Sequence, residues 1–123
     1  MQKNHFYFPF EKLVAYRVAQ QVYQQVIELS TSWPRGWADL RDHARRSANS
    51  VKLNVAEGAS QAPGSGNKSR HFNIALGSAG ELHDCLDTAL TNRLNPRAKL
   101  DAVIALNRRS GSLVYGLYRR CKR

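Results

Sequence analysis

The feature that most restricts how this chain can fold is the spacing of its apolar residues. They recur every three or four positions from Phe10 to Cys121 and nowhere alternate one by one. Such spacing puts side chains on one side of a helix, whereas a half-buried strand requires a period of two. Ala15, Val18, Val22, Val26 and Leu29, widened by Ala19 and Tyr23, mark a first helix. Its start is expected near Phe10, because Pro9 disfavours helical backbone at Phe8. Ser30-Thr31-Ser32 and Trp33-Pro34-Arg35-Gly36 end it, with Trp33 and Trp37 expected as caps over the bundle end. Leu40, Ala44, Ala48, Val51 and Val55 mark a second helix, with Asp39 as its N-cap, Asp42 in the capping-box position and Gly58 as its stop. Phe72, Ala75, Leu76, Ala79, Leu82, Leu86, Ala89 and Leu90 mark a third, from about Ser69 to Leu94. Gly77 and Gly80 each cost about 1 kcal/mol against alanine inside it, which predicts a tight crossing with a neighbour. Asn95 and Pro96 then open a fourth helix as N-cap and first-turn proline.

Four such helices with short connections predict an all-α fold, an antiparallel up-down-up-down four-helix bundle. At 123 residues the chain is long enough for one core. Residues 1–123 are therefore expected to form a single domain, with 1–9 an aromatic lead and 59–68 the loop between helices two and three.

The fourth helix divides most sharply. At 100° per residue, Leu100, Val103, Leu106, Val114, Leu117, Tyr118 and Cys121 share one side. Arg97, Arg108, Arg119, Lys122 and Arg123 gather on nearly the opposite side, flanked by Arg109 and Arg120. Residues 93–123 carry nine basic side chains against Asp101 alone, and so hold most of the net charge of +10. A cationic ridge of this kind predicts a polyanionic partner, nucleic acid first and an acidic protein or membrane surface second.

Other chemistries find little support. No apolar run approaches the ~20 residues of a membrane span, and the N-terminus lacks an apolar signal-peptide core. With two cysteines, too few for a disulfide framework, the chain is expected to be cytoplasmic and not to contact a membrane. His5, His43, His71 and His83 show no metal-ligand spacing, so neither metal nor other cofactor is expected. His83 and Cys85 are too close in sequence to face each other on a helix, and no catalytic constellation is visible. Gly64-Ser65-Gly66-Asn67-Lys68-Ser69 superficially resembles a phosphate loop, but Asn67 interrupts the contiguous Gly-Lys-Ser that such a loop needs. The protein is therefore expected not to be an enzyme.

Polar residues at packing positions need partners, because an unpaired buried carboxylate is costly. Asn54 and Glu57 on helix two and Ser78 and Glu81 on helix three share an i, i+3 spacing and predict an interhelical polar network. Arg45 or Arg46 would be its cation.

The same residues carry a resemblance. Phe10-Glu11-Lys12-Leu13, Trp33-Pro34, Arg45-Arg46-Ser47-Ala48-Asn49-Ser50-Val51, Asn54-Val55-Ala56-Glu57-Gly58 and Ala75-Leu76-Gly77-Ser78-Ala79-Gly80-Glu81-Leu82 follow one pattern in order. Over roughly residues 10–118 the chain resembles the bacterial four-helix-bundle family of 23S rRNA intervening-sequence proteins. That family is related to the accessory proteins of diversity-generating retroelements. The resemblance implies a homo-oligomer, commonly a homopentamer, without established catalysis. In related bundles a basic pentamer meets reverse transcriptase and nucleic acid. The chain departs from the pattern at Lys52 and in the Pro-Gly-Ser-Gly stretch of its second loop.

Together these features predict a non-enzymatic oligomeric binding module that contacts RNA, or failing that DNA, through the fourth helix. The expected contacts are Arg108, Arg109, Arg119, Arg120, Lys122 and Arg123, with Arg41 and Arg45 secondary. The rival is a scaffold that docks an acidic protein such as a polymerase, with Phe6, Tyr7 and Phe8 as aromatic anchors.

Overall fold

A computed structural model describes residues 6–121. Four long helices account for most of them: α1 (Val14–Ser30), α2 (Ala38–Ala59), α3 (Gly66–Thr91) and α4 (Arg97–Cys121). There is no strand among the described residues, and the helices pack as a four-helix bundle in which α4 lies against both α3 and α1. Cross-helix contacts give direction. Arg45 reaches Ser30 while Lys52 sits over the Tyr23 ring, so α2 descends as α1 rises. Ser50 meets Ser78 while Asn54 meets His71, so α3 reverses again.

The core has two centres. Val22, Val26, Trp33, Leu82, Leu86 and Leu100 pack together in one. Ala15, Val51, Val55, Phe72, Ala75 and Val114 pack in the other. Half-buried Leu113 touches both.

Helix starts differ from the sequence expectation in instructive ways. Phe10 belongs to a separate 3-10 turn, Pro9–Lys12, and α1 begins only after an extended Leu13. The Phe8 backbone N–H donates to the Glu11 carboxylate at 2.6 Å, which closes that turn on itself. Asp39 is not an N-cap. A second 3-10 turn, Arg35–Trp37, runs directly into α2, so Trp37 takes the cap position without a side-chain bond. Asp39 remains in the first turn, where a carboxylate suits the helix dipole. The second loop is shorter than expected. Ser65 caps α3 by accepting from the Lys68 N–H at 3.2 Å, so the helix starts three residues before Ser69.

The ends of the bundle are tied by side chains. The Trp33 indole donates to Asn95 Oδ1 at 2.6 Å, and Asn95 Nδ2 donates to the Leu29 carbonyl at 3.0 Å. Asn95 thus latches the α3–α4 turn onto the end of α1, and Trp33 is buried as a cap should be. The turn itself places Arg93 at φ 55°, with Leu94 N–H bonded to the Ala89 carbonyl and Arg93 N–H to Leu90. This is a Schellman ending with arginine in the left-handed position that glycine usually fills.

Two glycine expectations are corrected. Gly58 does not stop α2, which continues to Ala59; its bare Cα instead receives the Phe72 ring. Gly77 and Gly80 are exposed, and nothing in the chain lies within 4 Å of where a Cβ would stand. They mark no tight crossing inside the bundle.

The core side of α4 is the expected one, with two polar residues added to it. Leu100, Val103, Asn107, Ser110 and Val114 are buried, while Leu106, Leu117, Tyr118 and Cys121 are only half-buried. Asn107 Nδ2 donates to the Ala79 carbonyl on α3 at 3.0 Å, so a polar side chain occupies a core position by bonding across the interface.

Candidate nucleic-acid interface

Burying the Leu100–Val114 stripe turns the other side of α4 to solvent. Arg108, Arg109, Arg119 and Arg120 are all exposed there. None has a carboxylate within ion-pair distance among the described residues; the ion pairs are Arg41 with Asp42 and Arg97 with Asp101, each at 3.6 Å. Lys122 and Arg123 lie outside the described residues.

One aromatic ring stands within this row. Tyr115 is 52% exposed, and the Arg119 guanidinium lies over it, 5.8 Å from the ring centroid. The sequence wheel had no reason to single it out, since Tyr115 breaks the run of arginines. Its signal was positional, between Arg108 and Arg119 on the exposed side.

The two arginines proposed on α2 are engaged by the fold. Arg45 Nε donates to Ser30 Oγ at 2.9 Å and its Nη2 to the Ile27 carbonyl at 3.3 Å. A cation on the last carbonyls of α1 complements the negative end of that helix dipole. Arg41 is largely covered, with a side chain 29% exposed beside Asp42.

The polar network between α2 and α3 exists, but with different members. Ser50 and Ser78 hydroxyls lie 2.7 Å apart, Asn54 Nδ2 donates to the Ser50 carbonyl and hydroxyl, and Asn54 Oδ1 meets His71 Nδ1 at 3.0 Å. Of the expected set, Asn54 and Ser78 are joined through Ser50. Glu57, Glu81 and Arg46 are exposed and take no part in these bonds. Small hydroxyls and amides satisfy the interface without burying a carboxylate, which removes the need for the expected arginine.

Lys68, the residue that suggested a phosphate loop, donates to the Gly58 carbonyl at 2.8 Å and lies 5.6 Å from the Phe72 ring centroid. It closes the C-terminus of α2. Burial pushes the Cys85 thiol above its usual range, reinforced by Asp84 and Glu81 and opposed by Arg46. A protonated buried thiol is a poor nucleophile. Cys121 is half-buried and lines an open cavity of about 440 Å³ with Leu13, Phe72 and Leu117. Among the described residues no three His, Cys, Asp or Glu side chains come together to hold a metal ion. No helix there is long and apolar enough to cross a membrane.

A four-helix bundle that turns to solvent a row of arginines without carboxylate partners among the described residues defines a small basic helical-bundle protein. The profile of the 23S rRNA-intervening sequence protein family matches residues 11–116, reaching from the first 3-10 turn well into α4, and the chain belongs to that family. The family is not a known enzyme family. Among curated proteins none matches the chain.

Proposed function

We propose that this protein is a non-catalytic RNA-binding module that meets the phosphate backbone with the outward face of α4. The observation that supports this reading is the exposed, carboxylate-free row of Arg108, Arg109, Arg119 and Arg120. Lys122 and Arg123 would extend it. Guanidinium groups suit phosphate because each offers a planar fork of donors. The family's name, taken from intervening sequences of 23S rRNA, favours RNA over DNA. The module would act as a homo-oligomer, a homopentamer by the family resemblance, so that several ridges share one polyanion and gain avidity.

The test is fluorescence anisotropy of a labelled single-stranded RNA with nuclease-treated protein, titrated across roughly 50–300 mM salt, where phosphate contacts lose affinity steeply. Changing all four arginines to glutamine should weaken binding and flatten the salt slope by up to about 0.7 per contact removed. A folded variant with unchanged affinity and slope refutes the assignment.

A second reading has its own support. Phe6, Tyr7 and Phe8 are 76%, 56% and 53% exposed, and solvent-facing aromatics are the usual anchors of protein interfaces. On this reading the basic face docks an acidic protein such as a polymerase. A partner that stays bound after nuclease treatment would decide for it.

A further inference from the structure

We infer that the α4 ridge is built to take a single strand with unpaired bases, and that Tyr115 is the platform on which one base stacks. This rests on the reading of the ridge as a nucleic-acid surface and goes beyond it, since arginines alone would hold any polyphosphate.

The argument starts from register. Arg108, Ser112, Tyr115 and Arg119 follow one another at four, three and four residues, all exposed, so they form one stripe along α4. At 1.5 Å per residue the stripe is about 16 Å long, with the ring roughly 10 Å from one arginine and 6 Å from the other. A helical side chain leans toward the preceding turn. Arg119 accordingly reaches back over Tyr115, at 5.8 Å. Tyr115 leans in its turn toward Gly111 and Ser112, which are too small to cover a ring. At Gly111 and Gly116 nothing stands within 4 Å of the position a Cβ would take. The ring is thus set in open ground between two cations, with one guanidinium already beside it.

A half-exposed tyrosine costs solvation that a serine or lysine would not, and it adds nothing to the core. What it adds is a π face. Bases in an A-form duplex keep their faces inside the stack, whereas those of a single strand can splay onto aromatic rings and guanidinium planes. Ring and guanidinium together form such a surface, and the arginines on either side would hold the flanking phosphates. Stacking needs no particular base, so the site would prefer strandedness over sequence.

The experiment compares three labelled probes of equal length on the full-length protein: a single-stranded RNA, the same strand annealed to its complement, and an oligonucleotide of tetrahydrofuran spacers that keeps phosphates without bases. The single strand is expected to bind roughly 5- to 150-fold tighter than the abasic probe, the equivalent of one base–aromatic stack at about 1–3 kcal/mol. Tyr115→Ala should erase that ratio while leaving affinity for the abasic probe and the salt slope in place. Tyr115→Phe, which keeps the ring, should preserve it. The duplex should bind Tyr115→Ala and the unaltered protein equally. Equal binding of the single strand and the abasic probe, or a ratio untouched by Tyr115→Ala, overturns the stacking role and leaves the ridge standing. Failure of all three probes to bind overturns the ridge itself, and this inference with it.

Discussion

Three glycines inside helices allow a test in which the sign of the effect, rather than its size, decides. Replacing glycine by alanine within a helix gains about 1 kcal/mol from backbone entropy. At Gly77 and Gly80 nothing opposes that gain, because both are exposed and a new methyl meets no atom within 4 Å. Each substitution should stabilise the fold by about 0.5–1 kcal/mol. At Gly58 the same methyl would stand 2.6 Å from Phe72 Cε1 and 2.8 Å from Cδ1. Phe72 is 2% exposed and packed in the core, so the ring can make room only by displacing its neighbours or α3. Overpacking of this kind costs about 1–3 kcal/mol, which offsets or exceeds the helical gain. Gly58→Ala should therefore leave stability unchanged or lower it by up to about 2 kcal/mol. At roughly 4 °C per kcal/mol the separation between Gly58→Ala and Gly77→Ala is about 2–12 °C in Tm. Thermal and urea unfolding followed by far-UV circular dichroism measures it. Adding Phe72→Leu should relieve the overlap, so the pair should be less destabilised than the sum of the single changes. If Gly58→Ala raises Tm as much as Gly77→Ala, the close approach assigned to Phe72 is wrong.

Other consequences can be checked directly. Asn95→Ala strands the Trp33 indole N–H and the Leu29 carbonyl, and should cost about 2–4 kcal/mol in urea unfolding; Asn95→Asp, which keeps the acceptor for Trp33, should cost less. Arg93→Gly releases a left-handed residue at φ 55° and should raise stability by about 1 kcal/mol, seen as a higher urea midpoint with an unchanged slope. For the thiols, a maleimide should label Cys121 in the native protein and Cys85 only after unfolding, read by mass spectrometry. Because the Cys85 pKa is raised on folding, the unfolded chain loses this proton first as pH climbs. Stability should therefore fall as pH rises through the ordinary thiol range, and Cys85→Ala should remove that part of the alkaline loss.

What the sequence disclosed followed from period and charge. Four helices, the Trp33 cap and the exposed arginines of α4 all come from repeating patterns that local spacing carries. Helix starts did not, because they turn on small events such as Glu11 folding back on Phe8 or a 3-10 turn carrying Arg35–Trp37 into α2. The α4 wheel found the core side but not its polar members, because it followed apolar residues and passed over Asn107 and Ser110. Arg45 looked like a surface cation, and only the approach of α1 and α2 shows that it closes a helix end. Tyr115 was missed because a stacking group is defined by what leaves it uncovered, which no local pattern records.

The Asn95 latch also bears on how the chain folds in time. It joins positions 62 and 66 residues apart, whereas the turns between successive helices can form by local search. Contacts across so long a loop carry the larger closure entropy and are made late. Breaking the latch should therefore speed unfolding more than it slows folding, the signature of an interaction absent from the transition state. Trp33 fluorescence, in a variant with Trp37→Phe, would read both limbs of that kinetic experiment from the ring that the latch holds. The bundle would then owe its lifetime, more than its rate of assembly, to one asparagine in a turn.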